Sequence, residues 1–189
     1  FTITSIKKMT LASHITSLRI LFILPIIYLT SLGSFESNFL ALLLFIIAGL
    51  TDYLDGYVAR RTNTESQLGA LLDLLADKLL VCIILVWLIT LNNDLVFIIP
   101  ALIILSRELV ISSVRQFIVE KTGGNNIEVS LVAKSKTTIQ FIAISFLIIS
   151  PGLGNYVYYI AFGLLWIAAC ISLFSLYDYL QSWKESIRS

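Results

Sequence analysis

Residues 52–77 read DYLDGYVARRTNTESQLGALLDLLAD, from Asp52 through Asp77. Four aspartates in this stretch, Asp52, Asp55, Asp73 and Asp77, stand inside or beside strongly apolar segments. Ionised carboxylates at membrane depth are costly and rare, and they mark functional sites. Asp52 and Asp55 are three residues apart and Asp73 and Asp77 are four apart, so on helices each pair shares one face. The midpoint between Asp55 and Asp73 is residue 64, inside the polar stretch Arg61-Thr62-Asn63-Thr64-Glu65-Ser66. A helical hairpin turning there is expected to bring both pairs to the same depth, facing each other. Four convergent carboxylates suit one or two hard divalent cations, Mg2+ or Mn2+.

The rest of the chain fits that hairpin into a membrane. Of its 189 residues 58% are hydrophobic and 13% charged, with mean hydropathy +0.92, which excludes an ordinary soluble domain. A membrane-crossing helix needs about 20 mostly apolar residues. Six such spans are expected, at roughly 15–32, 38–60, 67–91, 95–119, 130–150 and 154–181. The fold class is therefore all-α, an integral membrane protein of six transmembrane helices. Residues 1–13, with Lys7 and Lys8, read as a short interfacial amphipathic helix, and residues 14–189 as one membrane domain. No small-residue cleavage site follows a short apolar region, so a removed signal peptide is not expected.

Basic residues set the orientation. The connections near 33–37, 92–94 and 151–155 carry no Lys or Arg, while all thirteen basic residues fall toward the opposite side. The positive-inside rule then places both termini and the aspartate hairpin in the cytoplasm. That face favours anionic lipids and phosphorylated substrates. Cys82 and Cys170 have no ligand spacing and read as small apolar residues buried in the helices. His14 opens the first span and reads as an interfacial anchor, with contact to a phosphate as the alternative. Trp87, Trp166, Trp183 and the tyrosines between Tyr156 and Tyr159 read as interface or packing residues.

Near the carboxylates, Gly56 follows Asp55 directly and Gly69 precedes Asp73 by one helical turn. Without side chains they allow close approach of a ligand or of a neighbouring helix. Arg60 lies one turn beyond Gly56, where a guanidinium is able to clamp a phosphate; Arg61 beside it reads as a snorkelling cation.

The pattern Asp52-x-x-Asp55-Gly56-x-x-Ala59-Arg60, eight residues, then Gly69-x-x-x-Asp73-x-x-x-Asp77 resembles the signature of the CDP-alcohol phosphotransferases, with eight residue types at the family's offsets. Leu74 departs from it where many members carry proline. The resemblance implies that Asp52, Asp55 and Asp73 are metal ligands. It makes Asp77 the general base and a further candidate ligand. It also implies that Asp52, Gly56, Arg60 and Gly69 hold the CDP-lipid. An alcohol is a weak nucleophile, so a carboxylate must accept its proton as it attacks the lipid-linked phosphorus and CMP leaves. Homodimers are typical of the family.

A second cluster is basic: Arg107, Arg115, Lys134 and Lys136. Arg107 lies well inside the fourth span, where a cation needs a partner or a wet cavity. Arg107 and Arg115 are eight residues apart, about 80° around a helix, so both are able to border one cavity. The plainer alternatives are a structural pair between Arg107 and Glu108 or an aspartate, and membrane-surface anchoring by the lysines. A basic pocket beside an acidic metal site implies a phosphorylated acceptor. Ser106-Arg107-Glu108-Leu109 through Gln116, Val132-Ala133-Lys134-Ser135-Lys136-Thr137-Thr138 through Gln140, and His14-Ile15-Thr16-Ser17-Leu18-Arg19 with Pro25 resemble the bacterial phosphatidylglycerophosphate synthases within that family. Ala133 stands where a glycine is expected. The implied donor is CDP-diacylglycerol and the implied acceptor glycerol 3-phosphate, at the bacterial inner membrane. Inositol phosphate or phosphatidylglycerol are the alternative acceptors. A cation transporter is the alternative outside this chemistry, but the acids cluster at one end of the spans and no repeated half is present.

Overall fold

The computed structural model of the chain describes the backbone of residues 11–62, 67–92, 95–122 and 131–188. It describes the side chains of residues 19–51, 75–76, 78–92, 95–114, 116–117 and 137–181. Among the described residues there are six helices and no strand: α1 (Leu11–Ser31), α2 (Phe35–Thr62), α3 (Gln67–Leu91), α4 (Leu95–Thr122), α5 (Leu131–Leu153) and α6 (Asn155–Arg188). Each corresponds to one expected apolar span, and the largest differences are at the ends. α6 runs on to Arg188, and Leu11–Ser13 already belong to α1. Residues 1–10 lie outside the described residues.

The chain divides into two compact units, Phe1–Ile84 and Leu85–Ser189. In the first unit α1 and α2 are paired. α1 buries Arg19, Ile23, Ile26 and Thr30, and α2 buries Asn38, Ala41, Phe45 and Ala48. Alternate steps of three and four residues keep each set on one stripe of its helix. The opposite faces are apolar too: Leu40, Leu43, Ile47 and Leu50 are all exposed on α2. Helices that are apolar all round suit lipid rather than water.

The α1–α2 turn is built from residues that end one helix and start the next. Gly33 has φ +67°, the left-handed conformation that a helix C-terminus favours and that glycine adopts without strain. Ser34 then caps α2: its Oγ accepts the Ser37 N–H at 3.2 Å, while the Ser37 hydroxyl donates to the Ser34 carbonyl at 2.9 Å.

In the second unit α6 packs against both α4 and α5. Its buried stripe is Ala161, Leu165, Ala168, Ser172 and Ser175, mostly small residues that let helix backbones approach closely. α4 buries Phe97, Ala101, Ile104, Arg107 and Ile111. Between α5 and α6 stands the single residue Gly154, at φ +90°.

Two stretches among the described residues are long and apolar enough to cross a membrane, Leu95–Val114 and Asn155–Gln181, with mean hydropathy 2.2 and 2.1. Shorter apolar stretches run through Arg19–Ser31, Phe35–Thr51, Lys78–Leu91 and Thr137–Leu153.

The cysteines differ from expectation. Cys82 is half-buried and Cys170 exposed, rather than buried. A helix surface that is apolar on every side gives a small apolar residue no reason to prefer the core. Tyr156 and Tyr159, at the start of α6, are exposed, as aromatic residues at a membrane boundary are.

Candidate active site

Asp52, Asp55, Gly56 and Arg60 lie in α2, and Gly69, Asp73 and Asp77 in α3. Their side chains lie outside the described residues, so the geometry available is that of the helices carrying them. In α2, Asp52 and Asp55 follow Ala48 by four and seven residues, continuing the register of the stripe Asn38, Ala41, Phe45, Ala48. In α3, Gly69 and Asp73 continue backward the register of buried Ala76 and Leu80. Asp77 precedes buried Leu80 and Ile84 by three and seven residues. The stripes that are buried along the helix bodies therefore change to carboxylate positions toward the ends joined by residues 63–66.

Depth along each helix agrees as well. Asp52 and Asp55 stand ten and seven residues before Thr62, the last residue of α2; Asp73 and Asp77 stand six and ten residues after Gln67, the first of α3. At 1.5 Å per residue these are about 15 and 10 Å on α2, and about 9 and 15 Å on α3. Among the described side chains no group of three or more His, Cys, Asp or Glu forms a metal centre. Aspartate carboxylates are oxygen donors of the kind that hard divalent cations take.

In sequence, Arg19 is one of thirteen basic residues and carries no sign of a particular role. The structure buries it to 1% exposure on the inward stripe of α1, in the unit that carries the aspartates. The available signal was its place as the single cation inside an apolar span.

In the second unit, Arg107 is 7% exposed. Its Nη2 donates to Ser175 Oγ at 2.8 Å, across α4 and α6. Its Nη1 donates to Glu108 Oε1 at 3.3 Å. The Glu108 pair is the structural alternative raised from the sequence, and it exists. Ser175 was not foreseen, because a serine in an apolar helix gives no sign of its partner. Beside this cluster α4 and α6 form a groove of about 330 Å³, lined by Ile99, Leu102, Ile103, Ser106, Arg107, Val110, Leu173 and Leu176. Its wall is hydrocarbon except at Ser106 and Arg107, a form suited to an alkyl chain with a polar group at one place. Arg115 lies on α4 just past the apolar stretch that ends at Val114, and Lys134 and Lys136 lie in the first turns of α5. The side chains of these three lie outside the described residues.

The chain matches the family model described as CDP-alcohol phosphatidyltransferase over residues 9–174. It is 40% identical over 152 residues to a CDP-diacylglycerol–glycerol-3-phosphate 3-phosphatidyltransferase of Haemophilus influenzae, covering 80% of this chain and 81% of that one. A protein of the same description from Rickettsia bellii is 37% identical over 179 residues, covering 93% and 96%. Another, from Escherichia coli, is 34% identical over 151 residues, covering 80% and 82%.

Proposed function

The chain belongs to the CDP-alcohol phosphatidyltransferase family, and we propose that it moves the phosphatidyl group of CDP-diacylglycerol to glycerol 3-phosphate, yielding phosphatidylglycerophosphate and CMP. The observation that carries this reading is the family match over residues 9–174, and the paired spacing of Asp52 with Asp55 on α2 and of Asp73 with Asp77 on α3 supports it. The activity for which the relatives are named agrees with it.

Asp52, Asp55 and Asp73 are the ligands we assign to the metal, with Asp77 beside them; their all-oxygen donor set fits Mg2+ or Mn2+, and two ions suit four carboxylates. When bound there, a divalent cation neutralises the diphosphate and stabilises the departing phosphate. The chain's own residues supply the remaining functions. Asp52, Gly56, Arg60 and Gly69 bind the CDP-lipid, the glycines by admitting it close to the backbone and Arg60 by pairing with a phosphate. Asp77 accepts the proton of the acceptor hydroxyl on a carboxylate oxygen. The hydroxyl oxygen then forms its bond to the lipid-linked phosphorus, the bond from that phosphorus to the CMP oxygen breaks, and CMP leaves. Arg107, Arg115, Lys134 and Lys136 hold the phosphate of the acceptor.

Six membrane-spanning helices, an interfacial segment at residues 1–13 and a single catalytic domain over residues 14–189 complete the proposal. The distribution of basic residues supports a cytoplasmic active site and cytoplasmic termini in a bacterial inner membrane. The family resemblance supports a homodimer. With the acyl chains left in the bilayer, the head group of the donor reaches carboxylates close to the helix ends without leaving the membrane boundary.

The test is CMP release by purified protein in detergent with CDP-diacylglycerol and magnesium, comparing glycerol 3-phosphate, inositol phosphate and phosphatidylglycerol, with a chelator control. Metal-dependent release with glycerol 3-phosphate alone is expected. Release with another acceptor keeps the aspartate chemistry and overturns the assignment of the basic residues.

A further inference from the structure

We infer that Arg19 is a positioning residue for the proposed metal site: its guanidinium holds the Asp52 carboxylate through an ion pair between α1 and α2. This rests on the reading of Asp52 as a metal ligand and adds the group that steadies it.

A cation buried inside an apolar helix needs a partner. Arg19 is 1% exposed on the stripe of α1 that packs against α2, so it does not run out to the membrane surface as a snorkelling arginine does. The acids of these two helices are Glu36, Asp52 and Asp55. Glu36 is exposed in the first turn of α2, beside the connection to α1. Thr51 is neutral, and its hydroxyl donates to the Ala48 carbonyl at 2.7 Å.

Register decides between the two aspartates. Three residues, 32–34, join α1 to α2, so the paired helices run antiparallel. Arg19 stands twelve residues before Ser31, while Asp52 and Asp55 stand seventeen and twenty after Phe35. At 1.5 Å per residue these are about 18, 26 and 30 Å from the turn. Asp52 therefore lies about 8 Å beyond Arg19 along the pair and Asp55 about 12 Å. Cα–Cβ bonds lean toward a helix's own N-terminus. In an antiparallel pair this tips position 19 away from the turn and position 52 back toward it, so the two converge. The long stem of an arginine and the short one of an aspartate close a gap of that size.

A guanidinium binds a carboxylate through charge-assisted N–H···O bonds, and the carboxylate keeps further lone pairs for a metal. Ligating carboxylates are oriented by such outer partners. The cation also offsets repulsion among neighbouring carboxylates.

The experiment is a double-mutant cycle on the purified full-length protein in detergent, read first as the thermal unfolding midpoint in chelator. Arg19→Gln is expected to lower the midpoint by about 6–20 °C, because it leaves a buried carboxylate unpaired. The same change should cost less than half of that beside Asp52→Asn, and its full effect beside Asp55→Asn. Where Arg19→Gln alone fails to fold, recovery of folded protein on adding Asp52→Asn is the same result. CMP release then reads the site: Arg19→Gln should raise the Mg2+ concentration for half-maximal release about 10- to 100-fold and leave KM for glycerol 3-phosphate nearly unchanged. An equal loss of stability with and without Asp52→Asn would overturn the inference, as would coupling to Asp55→Asn instead. Coupling to Asp52 with unchanged Mg2+ dependence would make the pair a helix tie, overturning the positioning role and leaving the proposed function standing. If the parent protein releases no CMP with any acceptor, the proposed function falls and the positioning role with it.

Discussion

In the unit Phe1–Ile84 the charges assigned to the proposed site are carboxylates, spaced three and four residues apart on two helices; in Leu85–Ser189 they are cations scattered over α4 and α5. The acids repeat with the period of a helix, so their register follows from position alone. The cations do not repeat, and the orientation of the one described, Arg107, depends on α6. A metal site needs several ligands converging from few elements, whereas an anion site is able to collect single cations from many.

Breaking the acidic side should have the largest effect on turnover. Asp77→Asn removes the proposed proton acceptor, and kcat should fall about 10²- to 10⁴-fold with CDP-lipid binding largely retained. Substantial turnover by that variant would move the base elsewhere.

Next come the cores, where the two units should respond alike. Phe45 and Phe97 are both fully buried, one in each unit. Each change to alanine should cost about 3–5 kcal/mol in detergent unfolding. Phe39→Ala, at a side chain 46% exposed, should cost much less. A large loss at Phe39 would mean that its exposed face is covered by a partner.

On the basic side, Arg107→Ala should raise the requirement for glycerol 3-phosphate about 10- to 150-fold and leave that for CDP-diacylglycerol nearly unchanged. Substrate titrations show whether the acceptor half is separable from the donor half.

The smallest effects compare the turns. Gly33→Ala and Gly154→Ala meet nothing within 4 Å, so each should cost only the backbone penalty of a left-handed residue, about 1–2 kcal/mol. A greater loss in thermal stability at either turn would show crowding that the local geometry does not.

Much of the fold was legible because long apolar runs are interrupted where helices end. Gly33, Ser34 and Gly154 mark two of those ends by backbone conformation and capping. The register of Asp52, Asp55, Asp73 and Asp77 was legible for the same reason: a helix converts spacing into direction. What stayed hidden depends on contacts between distant residues. Arg107 was readable as a cation needing a partner, but Ser175 looks like any other serine in an apolar helix. Burial of Cys82 and Cys170 was misjudged because the outward face is as apolar as the inward one. Arg19 was noticed as a charge, and only the pairing of α1 with α2 placed it on a buried stripe.

The 68-residue separation between Arg107 and Ser175 also has a consequence in time. At about 5–20 residues per second of synthesis, the arginine exists for roughly 3–14 s before the serine that accepts its hydrogen bond has been made. Glu108, its immediate neighbour, is present from the start and remains its ion-pair partner in the finished fold. On this schedule the carboxylates of α2 and α3 are synthesised early, and the arginine gains its hydrogen bond to α6 only when the last helix arrives.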